Sequence, residues 1–296
     1  MTRQTKNDNR ALKLMIAPAF ILLLGALVPF GKGVWTSLTN SKLYSSQSNT
    51  FIWFENYRAM FTNSIFLQGL KTLVIFVVSV LVIQFILGIM IAHLLNTKTR
   101  FTKISRSILV IPLLIPPVVA SLLWKTLMWP TDGVLNWILD LVNLGPYQWL
   151  TSPTTALFST IIIDTWIYLP FVTIILLSGL QSVSQDQIEA AKLDGANSWQ
   201  IFKYVSLPWL VPYIFLAGLF RGADAIKTFD VIYSTTRGGP IDSTRVLHIQ
   251  AYEEGFRWAN AGSAMAIVLF LWFMVYLFSN TLIRFSKLRD NRGLIS

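Results

Sequence analysis

The chain has 296 residues, of which 54% are hydrophobic, 14% aromatic and only 13% charged, about half the charged fraction of an ordinary soluble domain. With a mean hydropathy of +0.57, too few charges remain to coat a water-facing surface, so a soluble globular protein is excluded and lipid must be part of the solvent. No cysteine is present and only two histidines, His93 and His248, which excludes disulfides, thiolate metal sites and a multi-histidine metal centre.

About 20 apolar residues in a helix cross a bilayer core, because only an internally hydrogen-bonded backbone survives there. Six such segments are predicted. The first covers residues 11–30, with Lys13 near its start and Pro18 and Gly25 inside it. A cleaved leader is the competing reading, disfavoured by the length of the apolar run and by residues 31–37, which offer no convincing small-x-small cleavage site. Residues 42–63 follow, containing FIWFENYRAMF, which predicts a short aromatic helix at the membrane surface, where Trp and Tyr are favoured. The second span is 70–95, with Lys71 at one rim and His93 at the other. The third is 107–129, where Pro116 and Pro117 predict a kink. The fourth, 155–180, holds Asp164 and Pro170; the fifth, 209–232, is interrupted by Arg221, Asp224 and Lys227; the sixth is 261–285.

Basic residues mark the cytoplasmic loops. Arg3, Lys6, Arg10 and Lys13 lie at the start, Lys98, Arg100, Lys103 and Arg106 between spans two and three, and Arg284, Lys287, Arg289 and Arg292 at the end. These alternate correctly for six crossings with both termini cytoplasmic, and the loop 130–153 contains no Lys or Arg, as an external loop should. Arg237, Arg245 and Arg257 fall on the outside and count mildly against this arrangement. The net charge of +10 is thereby explained by topology, with no need for a nucleic-acid partner. The predicted organisation is all-α: a cytoplasmic tail 1–10, one polytopic domain 11–285, and a cytoplasmic tail 286–296.

Between spans four and five lies SVSQDQIEAAKLDGANSWQIFKYVSLPWLVP. Ser184 with Gln187 predicts a capping box, followed by strong helix formers and then Gly195 at a left-handed C-terminal position. Asn197 with Gln200 repeats the capping pattern, and Trp199, Phe202 and Val205 recur at helical spacing before Leu207 and Pro208, which are expected to close the element. A helix, a glycine turn and a second helix therefore project into the cytoplasm with an apolar stripe that needs a partner, either a protein or the lipid surface.

The stretch EAAKLDGANSWQIFKYVSLP resembles the EAA loop of ATP-binding-cassette (ABC) importer permeases. Glu189, Ala190, Ala191, Asp194, Gly195, Ala196, Leu207 and Pro208 all fall in its pattern. Further on, TFDVIYSTTRGGPIDSTRVLHIQAYEEGF is similar to the segment after span five in the maltose-type, carbohydrate-importing branch, through Phe229, Asp230, Tyr233, Gly238, Gly239, Pro240, Thr244, Tyr252 and Phe256. Glu55 to Tyr57 and the Gly133, Leu135, Asn136 cluster are weaker echoes. His248 and the Glu253, Glu254 pair stand where such permeases vary, which bears on substrate.

This resemblance implies a non-catalytic six-span subunit of the cytoplasmic membrane of a prokaryote, paired with a second homologous permease as a heterodimer. Two cytoplasmic ATPases would carry ATP and Mg, leaving this chain without a cofactor, and an extracytoplasmic solute-binding protein would deliver the solute. Loop 184–208 would be the coupling element, with Glu189, Ala190, Ala191, Asp194, Gly195, Ala196, Trp199, Leu207 and Pro208 at the ATPase contact.

Charges inside a bilayer are costly and mark a pathway or a pair. Arg221 and Asp224 share a helix face and can neutralise each other; Lys125, beside Trp124 and Trp129, can snorkel. The resemblance places sugar contacts in the middle of spans four and five, which implies Asp164, Tyr168, Arg221, Asp224, Ala225 and Thr228, with Trp166 and Tyr168 offering rings to stack on. Arg221 would suit an acidic or sulfonated sugar, or a sugar phosphate; a permease for a non-sugar solute such as a glycerol phosphate ester is an alternative. A secondary transporter remains the other reading, although no inverted halves are visible. An intramembrane enzyme would need convergent acid, base and nucleophile, and the predicted topology keeps the two histidines apart.

Overall fold

The computed structural model describes the backbone of residues 18, 22–44, 49–97 and 99–290, with side chains up to residue 286. The predicted tail 1–10, residues 11–17 and 19–21 of the first span and residues 291–296 of the second tail lie outside the described residues. Regular structure among the described residues is helical, apart from an antiparallel bridge between Thr39 and Phe51. Residues 22–37 form α1. Then come α2 (Glu55–Thr62), α3 (Ser64–Leu95), α4 (Arg100–Leu114), α5 (Pro117–Leu127), α6 (Val134–Asp140) and α7 (Ala156–Gln181). The remainder are α8 (Gln185–Leu193), α9 (Ser198–Ile201), α10 (Leu207–Ile226), α11 (Asp230–Thr235), α12 (Leu247–Tyr252) and α13 (Ala261–Asp290).

Among the described residues, Ser64–Leu95, Ala156–Gln181, Ser198–Ile226 and Ala261–Ser286 are long and apolar enough to cross a bilayer, and α4 with α5 makes a fifth crossing if the bent pair is one span. That bend corrects the single helix predicted over 107–129: the two halves meet at 98°. Pro116 and Pro117 both lack an N–H, and a residue before proline is pushed out of the helical region. Ile115 accordingly lies at φ −87°, ψ 128° and Pro116 at φ −53°, ψ 133°, after which Pro117 opens α5. The fifth segment, predicted to reach 232, ends as a helix at Ile226, capped by Lys227 at φ −91°, ψ 12°. A separate helix restarts with Asp230 in its first turn, where a carboxylate suits the helix N-terminus.

The chain divides into two compact units, one comprising the chain up to Asn63 with Ala251–Phe270, the other Ser64–Gln250 with the chain from Leu271 onward. In the first, Asn56 of α2 donates to the carbonyls of Ser37 (2.7 Å) and Thr39 (2.9 Å), and Trp35, Phe51 and Trp53 pack ring against ring. The predicted aromatic helix is thus present as α2, tied to the end of α1.

In the second unit α7 is the hub, packed against α3, α4, α5, α10 and α11 and the most buried of the spanning helices. Gly88 lets α3 approach Val172 and Leu176 of α7. Gly222 does the same for α10: any Cβ there would overlap the ring of Phe278. Pro170 lies inside α7 without ending it. By contrast Ile86, Met90 and Leu94 of α3 are exposed at a spacing of four, an apolar stripe of the kind lipid covers.

Candidate functional site

Three helices of the second unit bring polar side chains to one level of the bundle. Gln84 comes from α3, Asp164 from α7 and Arg221 from α10, each at most 1% exposed. Arg221 Nε donates to Gln84 Oε1 at 2.8 Å, its Nη2 forms an ion pair with Asp164 Oδ1, and its Nη1 donates to Asp224 Oδ2 at 3.2 Å. Gln84 Nε2 in turn donates to Asp164 Oδ1 at 3.1 Å. The guanidinium carbon lies 4.4 Å from the centroid of the Tyr168 ring, a cation–π contact. Desolvating each ion costs several kcal/mol, offset only by close pairing and full hydrogen bonding. The cluster meets that condition: both charges are paired and the amide is used on both its oxygen and its nitrogen.

A cavity of about 240 Å³ opens beside the cluster. Of the predicted site residues, Asp164, Tyr168, Arg221, Asp224 and Thr228 line it. Trp166 does not; it packs edge-on against Trp124 with centroids 5.7 Å apart. Ala225 is buried and likewise faces away from the lining. Lys227, Phe229, Asp230, Val231 and His248 complete the wall. The i,i+3 pairing of Arg221 with Asp224 is present, but Arg221 also reaches α3 and α7. Gln84 was missed, although the signal was there: it is the lone amide or ionisable residue between Lys71 and His93. The Asp224 side chain remains 51% exposed, so its carboxylate faces open space while Arg221 is enclosed. His93 lines a different, apolar cavity of about 430 Å³ with Met90, Trp199 and Phe202, so among the described residues the two histidines do not converge.

The loop 184–208 is built largely as its residues dictate. Residues 191–196 close α8 with two bonds, Gly195 N–H to Lys192 O and Ala196 N–H to Ala191 O, both 3.0 Å, the double bond of a Schellman cap. Gly195 takes φ +82° there, a conformation that costs any residue with a Cβ. Asn197 and Gln200 form the reciprocal capping box, at 2.8 and 2.9 Å. Ser184 is the N-cap of α8, but its side chain makes no cap bond; the first turn is exposed, so water can take its N–H groups. Leu207 and Pro208 do not close the element. The helix passes through a π turn, Phe202–Ser206, in which Leu207 N–H reaches back to Phe202 O. This wider turn accommodates Pro208, which lacks a donor and would crowd the carbonyl four residues back. Glu189, Ala190, Asp194 and Gly195 are exposed, Ala191, Ala196, Leu207 and Pro208 half-buried. Leu193 and Trp199 are 88% and 67% exposed.

Among the described residues, helices long and apolar enough to cross a bilayer, a buried charged cluster and an ordered loop with exposed Leu193 and Trp199 are the features of a polytopic membrane protein. A profile for the binding-protein-dependent transport system inner membrane component matches residues 84–287, and the chain belongs to that family. The likeness to ABC importer permeases read from residues 189–208 is borne out. Among its relatives are the trehalose/maltose transport system permease protein MalF of Thermococcus litoralis, 30% identical over 93% of each chain, and the sulfoquinovosyl glycerol transport system permease protein SmoG of Agrobacterium fabrum, 33% identical over 87% of this chain and 84% of its own. A chain in the crystal structure of a bacterial ABC transporter involved in the import of the acidic polysaccharide alginate superposes with a TM-score of 0.83 at 22% identity, over 97% of this chain and 99% of that one. At that identity the likeness concerns the fold.

Proposed function

We propose that this chain is the permease half of an ATP-driven importer of a neutral, polyhydroxylated carbohydrate. It pairs with a second, homologous permease in a heterodimer and rests on two cytoplasmic ATPases that hold ATP and Mg. An extracytoplasmic solute-binding protein feeds it. The chain itself is non-catalytic, holds no cofactor, and crosses the cytoplasmic membrane of a prokaryote six times with both termini inside. Loop 184–208 lies on an ATPase, with Glu189 and Asp194 pairing with basic groups there and Leu193 and Trp199 covered by it. ATP-driven movement of that contact exchanges two states of the bundle, a coupling by differential contact.

The observation that carries the carbohydrate reading is the asymmetry of the cavity. Arg221 is enclosed and engaged by two carboxylates and an amide, whereas Asp224 and Asp230 line open space. Carboxylates accept from hydroxyl groups, and a sugar supplies many. An anionic solute finds its predicted partner, Arg221, already neutralised; Lys227 is the cation left on the wall. The sulfoquinovosyl glycerol relative is the finding that favours that second reading. The test is uptake into proteoliposomes holding the complete complex with excess binding protein. ATP-dependent uptake of labelled trehalose or maltose is expected. Preference for sulfoquinovosyl glycerol or a glycerol phosphate ester would favour the anionic reading, and uptake that needs an ion gradient but no ATP would make the protein a secondary transporter.

A further inference from the structure

The rings expected to stack on a sugar are not available to it. Trp166 is turned onto Trp124 and the face of Tyr168 is taken by Arg221. Another ring on the cavity wall is His248, carried in by α12 from a segment whose sequence reads as an external loop. Its Nδ1 lies 2.9 Å from the carbonyl oxygen of Lys227. A carbonyl only accepts, so Nδ1 bears the proton, and in the neutral imidazole Nε2 is left as an acceptor. Lys227 is the C-cap of α10, so this bond also satisfies one of the carbonyls that a helix end leaves open. Phe229 backs the imidazole, with ring centroids 5.3 Å apart. The ring is thus held by one nitrogen and one face, and no hydrogen-bond donor among the described residues reaches the other nitrogen.

Resting on the carbohydrate reading, we infer that His248 is a specificity-determining contact of this permease: its Nε2 accepts a hydroxyl of the solute in the cavity that Asp224 also lines. Asp224, Asp230 and Nε2 then present acceptors from different elements to one cavity. That set selects a solute rich in hydroxyl donors and disfavours one whose exposed groups are themselves acceptors, such as a carboxylate or sulfonate.

The bland alternative is that His248 only caps α10, and a pair of substitutions separates the two. Asparagine places its amide nitrogen where Nδ1 stands and so retains the cap without the second nitrogen; glutamine places an amide atom where Nε2 stands and gives up the cap. Uptake is measured in proteoliposomes of the complete complex, using whichever of trehalose or maltose the unsubstituted complex imports faster. The same excess of binding protein delivers solute to every variant, so differences between them belong to the membrane site. His248→Asn is expected to raise the half-saturating concentration about tenfold, the loss of roughly one hydrogen bond, with the melting temperature unchanged because the cap on Lys227 O is kept. His248→Gln is expected to keep most of the affinity at a lower melting temperature. A silent His248→Asn together with a damaging His248→Gln would make His248 a cap and overturn the inference alone. If the unsubstituted complex imports neither disaccharide and takes up sulfoquinovosyl glycerol or a glycerol phosphate ester instead, the neutral-carbohydrate reading falls and takes this inference with it.

Discussion

The cluster around Arg221 and the loop 184–208 solve opposite problems with the same short list of residue types. Inside the bundle, Gln84, Asp164 and Arg221 are buried and mutually hydrogen-bonded, because an unpaired ion there has no water to turn to. On the loop, the C-terminal cap of α8 and the capping box of α9 are made while Leu193 and Trp199 stand in the open. A region that is polar and satisfied within the chain is a finished piece of structure. One that is ordered but apolar at its tip is finished only by another molecule. Substitutions in the first should therefore be felt in the isolated subunit, and in the second only in the assembled complex.

The largest expected effect is Arg221→Met, which strands Asp164 in the interior and should cost about 3–5 kcal/mol. Thermal unfolding in detergent should show it, and Asp164→Asn in the same chain should recover much of the loss; a melting temperature unchanged by Arg221→Met would mean the pair is not the enclosed one described. Gly195→Pro deletes the Gly195 N–H bond to Lys192 O and cannot reach φ +82°, so it should unmake an exposed turn, lower that melting temperature far less than Arg221→Met does, and abolish solute-stimulated ATP hydrolysis. Normal coupled hydrolysis in Gly195→Pro would remove the loop from the coupling mechanism. Gln84→Leu opens bonds to both ions and should cost about 1–3 kcal/mol, with Gln84→Glu no better because it sets a carboxylate beside Asp164. Asp224→Asn sharpens the contrast most finely. Its half-exposed pairing is worth less than ~1 kcal/mol to stability, so melting should barely move while the half-saturating sugar concentration rises several-fold, as two-solute competition assays would reveal.

Legibility followed sequence distance. The Asn197 capping box, the Gly195 turn and the Arg221–Asp224 pair join residues three or four apart or mark a single position, and all are present as read. Asp164 and Arg221 are 57 residues apart and Gln84 and Arg221 137 apart, so no local pattern could unite them; only the packing of α3 and α10 on α7 does. The Pro116-Pro117 pair announced a break, but its 98° angle is set by what the two halves pack against. Pro208 misled for a subtler reason. Proline ends a helix when the preceding turn is α-helical, and here that turn has widened to a π turn. The sequence reads His248 into an external loop, but hydropathy does not say whether such a segment stays clear of the bundle or folds back onto it, as α12 does in bringing His248 to the cavity.

From Ser198 to Ile226 the chain is one unbroken helical run of 29 residues, with Trp199 near one end and Arg221 near the other. At 1.5 Å per residue the two are roughly 33 Å apart along a single axis. In the proposed importer, a torque applied at loop 184–208 would meet no hinge loop on its way to the guanidinium and would arrive as rotation of the same rod. The π turn at residues 202–206 and Pro212 are irregularities along that shaft, and in the proposed importer the π turn, being nearer the loop, would be where twist is taken up.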